Sequence, residues 1–287
     1  MAANLHLQYH HMGSYLLDQH LAHLRAIGRS PKTVEARRSV LRRLHNHLPF
    51  GLAYAATEQL ESWLGALRES GRARWTLRTY DNHVRDFYRW ACNAGFLNGD
   101  PTGELVRPAQ PRCIARPVTE DEMAAALQLP EPLKTAVALA GFEGMRAGEI
   151  AACDRAHITA ERTLIPVGKG GHAGVVPTHP YIWELVRDRP PGRLIRNKWG
   201  RAVSAHWVSV RISWWMRQIG LEGVTAHRFR HRYGTLIQQS VGDIRVTQEC
   251  LRHSSVASTQ IYTAVTSEAR TRAVAGLPVP DMTAPAS

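Results

Sequence analysis

At 287 residues with 44% hydrophobic content, the chain is long enough to fill two cores of ordinary domain size. Its formal net charge of +12, from 36 basic against 24 acidic residues spread along the whole length, points to a polyanionic partner. Cys92, Cys113, Cys153 and Cys250 are too scattered for a disulfide framework, His6, Gln8, His10 and His11 stand where a signal peptide needs an apolar run, and no apolar stretch reaches spanning length, so a cytoplasmic protein without a membrane partner is expected.

In chain order, residues 12–27 place Leu17, Leu21 and Leu24 on one helical face after a Ser14 cap, and Ser30 with Pro31 opens a second helix by the cap-then-proline rule. Its apolar line is Val34, Leu41, Leu44 and Leu48; its other face carries Lys32, Arg37, Arg38, Arg42 and Arg43, a stripe suited either to a phosphate backbone or to plain solvation. Thr57 is expected to cap a short helix with Leu60, Trp63, Leu64 and Leu67. A fourth helix after Gly71 turns Tyr80, Val84, Phe87 and Ala91 inward and displays Arg72, Arg74, Arg78, Arg85 and Arg89. Of these, Arg37, Arg38, Arg42, Arg78 and Arg85 are the candidate DNA contacts, while Trp75 and Trp90 are read as packing residues.

Pro101, Pro108, Pro111 and Pro117 break the helical pattern, so residues 1–100 are expected to form an α-helical unit and 101–118 a semi-rigid connector. Thr119 with Glu122 makes a capping box that opens a second domain, 119–276. Within it, residues 133–142 read as a buried helix, and GMRAGEI delivers Arg146 and Glu149 into the next. Extended runs at 163–167 and 174–177 flank the glycine-rich turn bearing Lys169, a compact β-hairpin signal. Helices follow at 180–188 and 204–219, the latter with Trp207, Val210, Trp214 and Trp215 expected in the core. Another runs from His227 to Ser240, with Phe229, Tyr233, Leu236 and Ile237 as its apolar members, and a short one starts at Asp243. Ser254 or Ser255 caps the segment bearing Tyr262, Ser267 caps a last helix at 268–276, and 277–287 has the composition of a flexible tail. The fold class is thus mostly α with a small β element, in two domains.

Residues 225–263 concentrate His227, Arg230, His253 and Tyr262: a phenol able to attack, a fixed positive charge, and imidazoles able to donate hydrogen bonds. With Arg146 and Lys169 these suit phosphoryl transfer without a metal. A rival reading makes His227, His231, Cys250 and His253 a zinc site, since both pairs have ligand-compatible spacing; it leaves Arg146, Lys169 and Tyr262 unexplained.

Taken together, GMRAGEI, GKGG, AHRFRHRYGT and LRHSSVASTQIYT resemble the boxes of the tyrosine recombinases, or phage-type integrases, over nearly the whole chain. The resemblance implies a C-shaped DNA clamp in which residues 1–100 bind the core site. It implies that Tyr262 attacks the scissile phosphate to give a 3′-phosphotyrosyl linkage, that Arg146, Arg230 and His253 hold the phosphate oxygens, that Lys169 protonates the leaving 5′-oxygen, and that His227 assists proton transfer. Glu149 is a supporting residue, expected to orient His227 or nearby backbone. No cofactor is implied. The implied partners are double-stranded DNA attachment sites, a homotetramer on paired sites and a directionality factor, and the helix at 268–276 is implied to dock on a neighbouring protomer. The chain begins almost directly with the core-binding unit, as expected of a simple-site integrase of a phage or mobile element. Xer-like resolution of chromosome dimers and a non-catalytic DNA-binding regulator are the alternatives. Three features depart from the family pattern: Arg252 where Gly usually precedes the histidine, Phe229 for Leu, and His172 with Ala173 in the hairpin.

Overall fold

The computed structural model describes residues 2–109, 115–165 and 174–252, with side chains from residue 9 onward. Lys169, His172, Ala173, His253, Tyr262, the helix expected at 268–276 and the tail at 277–287 lie outside the described residues. The chain divides into two compact units, Met1–Arg112 and Cys113–Ser287.

The first unit is built from α1 (Ala2–Ala26), α2 (Pro31–His47), a 3-10 turn (Leu52–Tyr54), α3 (Thr57–Glu69) and α4 (Arg74–Asn93). Ser14 does not open α1: the helix runs through it, and its hydroxyl lies 3.3 Å from His45 Nε2. A side chain at Gly13 would collide with the His45 ring and the Leu52 amide, so the glycine sets how closely α1 approaches its neighbours. α2 starts as the sequence predicts, with the Ser30 hydroxyl accepting from Thr33 N at 3.2 Å and Pro31 in the first turn. The cap of α3 is Ala56 rather than Thr57, whose hydroxyl instead donates to the Pro101 carbonyl at 2.9 Å. Leu16, Leu21, Leu41, Leu44, Leu60, Val84, Phe87 and Tyr88 form the core, with Leu105 buried beside them. Trp90 packs on Phe87, but Trp75 is 46% exposed, contrary to its expected packing role.

Arginines expected on the surface account for much of this unit's polar interior. Arg85 is buried: its Nε donates to both Asp81 oxygens at 3.0 and 3.1 Å, and its two Nη atoms donate to the Thr102 and Leu105 carbonyls, each at 2.6 Å. Arg37 is equally enclosed, donating to the His83 carbonyl at 2.6 Å and to Asp86 at 2.8 Å. Arg78 donates to the Pro108 carbonyl at 2.7 Å. Arg37 and Arg85 therefore act inside the fold, which removes them from the expected basic stripe. Of the candidate contacts, Arg38 pairs with Glu35 and Arg42 is exposed. The start of the expected connector is thereby fastened to α4, through the carbonyls of Thr102, Leu105 and Pro108.

The second unit holds α5 (Glu120–Ala126), α6 (Leu133–Phe142), α7 (Ala147–Ala152), a 3-10 turn (Arg155–His157), the strands β1 (Arg162–Ile165) and β2 (Gly174–Pro177), and α8 (Pro180–Val186), α9 (Ala205–Gln218), α10 (Ala226–Val241) and α11 (Ile244–Leu251). The Thr119–Glu122 capping box is reciprocal, at 2.8 and 3.1 Å. α6 is buried nearly all round, with Ala136 to Ala140 fully enclosed, and packs on α10; β1 and β2 pair antiparallel with Ile165 opposite Gly174. In α9 the fully buried line is Val208, Ile212 and Met216, an i, i+4, i+8 series, with Trp207 and Trp215 half-buried against the same core. Trp214 is 41% exposed and Val210 48%; Trp207 and Trp214 flank the Arg211 guanidinium at 5.9 and 5.1 Å. Leu236, one of the apolar members of α10, is also exposed, and Arg232 takes up buried space on that helix. Among the described residues no helix is long and apolar enough to cross a membrane.

Candidate active site

The turn between α6 and α7 has the geometry its glycine demands. Gly144 has φ +59, and the Tyr233 ring of α10 lies where its Cβ would be, so both conformation and space exclude a larger residue. The turn ends at Arg146, the N-cap of α7. Glu149, one helical turn on, accepts from Arg146 N at 2.9 Å and from its Nη1 at 2.8 Å. Glu149 thus orients Arg146, and its other partner is Arg252 at 2.8 Å rather than His227. Burial by itself would raise the Glu149 carboxyl, but Arg252 and the hydrogen bonds from Arg146 hold it below the ordinary range.

Arg230 reaches the same turn from α10. It is 1% exposed and donates to the Gly144 carbonyl through Nη1 and to the Leu251 carbonyl through Nη2 at 2.5 Å. Arg146 Nη2 in turn approaches the Arg252 carbonyl at 3.4 Å. The two arginines therefore converge on the end of α11, immediately before His253 in sequence. Arg146 retains a third of its side-chain surface and offers N–H groups to a ligand, whereas Arg230 contributes charge from within the wall.

His227 sits in the first turn of α10. Burial first, then Arg230 and Arg146, lower its pKa below the ordinary imidazole value. His231 follows one turn later, ring centroids 4.3 Å apart, and burial with His227, Arg230 and Arg228 pulls it down to about 4. The lowered values favour the neutral form of both rings, the form of imidazole that can accept a proton. Of the zinc alternative's residues His227 and His231 lie side by side and His253 lies outside the described residues; among the described residues no group of three His, Cys, Asp or Glu side chains is placed to hold a metal ion.

The other arginines of the AHRFRHR box are architectural. Arg228 binds Glu122 at 3.0 Å and the Pro117 carbonyl at 3.1 Å, and Arg232 forks onto Glu120 at 2.7 and 2.8 Å, so both bolt α5 to α10. Sequence reasoning did not anticipate the role of Arg252, whose only signal was an arginine in place of the usual glycine. It also passed over Glu143, a fully buried acid at the end of α6.

The model of the "Phage integrase family" matches residues 117–269, and that of the "Phage integrase, N-terminal SAM-like domain" matches 17–95. The chain belongs to the phage integrase family of tyrosine recombinases. It is 30% identical to the tyrosine recombinase XerC of Mycobacterium tuberculosis, covering 75% of this chain and 80% of that protein. It is 28% identical to XerC of Corynebacterium efficiens, covering 84% of each. The recombinase fold is shared with a lambda integrase dimer bound to a COC′ core site (TM-score 0.72, 18% identity, 94% of this chain and 80% of that one). It is also shared with the Tn1549 transposon integrase in complex with transposon right-end DNA (TM-score 0.71, 12% identity, 91% and 98%). This recombinase is accordingly a site-specific enzyme that cleaves and rejoins DNA, and its fold is mostly helical with one small two-stranded sheet.

Proposed function

We propose that Tyr262 is the nucleophile and that Arg146, Arg230, His227, His253 and Lys169 complete the cleavage site. The phenol oxygen of Tyr262 bonds to the scissile phosphorus as the bond to the 5′-oxygen breaks, leaving a 3′-phosphotyrosyl ester and a free 5′-hydroxyl. The phenol proton passes to His227, and the Lys169 ammonium gives one to the departing oxygen. Arg146, Arg230 and His253 stabilise the charge that grows on the non-bridging oxygens. Rejoining reverses these steps with a 5′-hydroxyl from a second duplex, which conserves the ester energy. The observation that carries this reading is the convergence of Arg146 and Arg230, from two distant stretches, on the carbonyl end of α11, with His227 near enough for both to lower its pKa.

The substrates on this reading are double-stranded attachment sites, brought together by a homotetramer in the cytoplasm, on the nucleoid. A lambda integrase tetramer has been seen bound to a Holliday junction. The biological task is insertion or excision of a phage or mobile element, with a directionality factor setting the balance; Arg38 and Arg42 contribute to backbone binding. The XerC relatives favour a second reading, resolution of chromosome dimers.

Nicked duplexes tiled across the DNA flanking the gene, and across the chromosomal terminus, test both readings together with Tyr262→Phe. A denaturant-resistant adduct that the variant cannot form establishes the nucleophile. Its location, beside the gene or at the terminus, separates element integration from dimer resolution. DNA binding with no adduct on any duplex, while an authentic recombinase captures its own site in parallel, would refute the catalytic assignment and leave a DNA-binding regulator.

A further inference from the structure

Arg252 occupies the C-cap of α11 with φ 54 and ψ 46, among the described residues the one non-glycine with positive φ. That left-handed backbone is strained for any side chain with a Cβ, and glycine would adopt it freely. The side chain nevertheless makes a dense set of contacts. Its Nη2 donates to Glu149 Oε2 at 2.8 Å and to the Gly144 carbonyl at 3.1 Å, and its Nη1 donates to the Cys250 carbonyl at 3.0 Å and approaches the Glu143 carbonyl at 3.4 Å. Its methylene stem lies against Gly174, where an added Cβ would overlap Arg252 Cδ. One residue thus touches the turn that presents Arg146, the first turn of α7, the start of β2 and the end of α11.

Resting on the reading of Arg146 and Tyr262 given above, we propose that Arg252 is a positioning residue for strand cleavage. Its fork holds the end of α11, through the Cys250 carbonyl, against the turn that carries Arg146. It also neutralises Glu149. That carboxylate is shared, Oε1 accepting from the Arg146 guanidinium and Oε2 from the Arg252 guanidinium and the Arg146 amide, so two guanidinium groups face a single negative charge. Without Arg252, Glu149 and Arg146 would form a neutral pair, and Arg146 would have less charge to offer a phosphate. The strained cap is retained because its side chain orders the site.

The test uses the full-length recombinase on the nicked duplex that yields an adduct with the unaltered protein. Single-turnover adduct formation, DNA affinity and thermal unfolding are measured for Arg252→Gly, Arg252→Lys and Gly174→Ala. Arg252→Gly, which relaxes the backbone, is expected to slow adduct formation roughly tenfold to a hundredfold while DNA affinity changes less than about threefold. Added methylguanidine should restore part of that rate in Arg252→Gly and none in Tyr262→Phe, and Arg252→Lys, which keeps charge without the fork, should fall between. Gly174→Ala should slow cleavage by displacing the arginine stem, and should have no further effect once Arg252 is Gly.

Cleavage by Arg252→Gly at the unaltered rate, or a Gly174→Ala effect that persists without Arg252, would overturn the role. Should Arg252→Gly fail to fold, unaltered rates in both Arg252→Lys and Gly174→Ala would overturn it equally. Absence of an adduct with the unaltered protein would instead refute the function proposed above, and this inference with it.

Discussion

Glu143 closes α6 one residue before Gly144 and has no exposed surface. Its Oε1 accepts from His179 N at 3.1 Å, and the Thr163 hydroxyl and Arg252 also favour the charged form, yet burial outweighs them and pushes the carboxyl from 4.5 up to about 7. Between these two values the folded protein binds more protons than the unfolded chain. Stability therefore falls as pH rises from 4.5 through 7, and levels off above. The full shift corresponds to about 3 kcal/mol. Glu143→Gln keeps an oxygen for His179 N and removes the titration, so it should stabilise the second unit by ~2–3 kcal/mol at pH 8 and by almost nothing near pH 4.5. Hydrogen exchange of the α6 peptide across a urea series, at pH values from 5 to 8.5, reads the relevant free energy directly. Groups that titrate in both proteins, His231 among them, cancel in the difference. A difference that stays constant with pH would refute the assignment of a proton to buried Glu143.

Two further outcomes concern the first unit. Arg85→Ala strands a buried Asp81 and two carbonyls, and should cost ~3–5 kcal/mol in denaturant unfolding; a pure DNA-contact role predicts normal stability and a shallower salt dependence of binding instead. His20 lies between Phe87 and Trp90 with neither ring nitrogen hydrogen-bonded, and burial, with Arg37 adding, lowers its pKa to about 3. Because the unfolded chain binds the proton first, the stability His20 supports is present above about pH 6.5 and is lost as pH falls toward 3; by pH 5 the loss is ~2 kcal/mol, and His20→Leu should abolish that part of the acid sensitivity seen by circular dichroism.

The elements that the sequence reveals are those whose signals are local. Ser30 with Pro31 and Thr119 with Glu122 mark helix starts because the capping atoms are three residues apart, and Gly144 marks a turn because no other residue fits beneath Tyr233. The start of α1 is missed because nothing local announces it. Tyr9 instead packs on Phe50 and Tyr54, at 5.5 and 4.5 Å, and those partners are remote in sequence. In α9 the fully buried line is Val208–Ile212–Met216, with Trp207 and Trp215 half-buried against the same core, and aromatic size drew the choice to the flanks of the buried face. Arg146, His227 and Arg230 are legible as a set through their motifs. The Glu149 partner of Arg146 is legible one helical turn away, but what Arg230 holds is not, because its acceptors are backbone carbonyls, and a carbonyl leaves no trace in residue identity.

The same fact changes what the excess of arginine, 32 residues against four lysines, means. Arg37, Arg85, Arg230 and Arg232 are all buried, and each donates to at least one backbone carbonyl: of His83, of Thr102 and Leu105, of Gly144 and Leu251, and of Gly141. Loops and helix ends leave carbonyls without intrahelical donors, and a planar fork with five N–H groups can satisfy two of them while still meeting a carboxylate. A lysine ammonium, with three donors on one atom, cannot span that separation. So these four guanidinium groups are committed within the fold, those of Arg37, Arg85 and Arg232 to carboxylates as well, and a count of arginines overstates the positive charge open to a polyanion. Salt-dependent DNA binding should accordingly report fewer phosphate contacts than a count of arginines on α2 and α4 would give, since Arg37 and Arg85 on those helices are already committed within the fold.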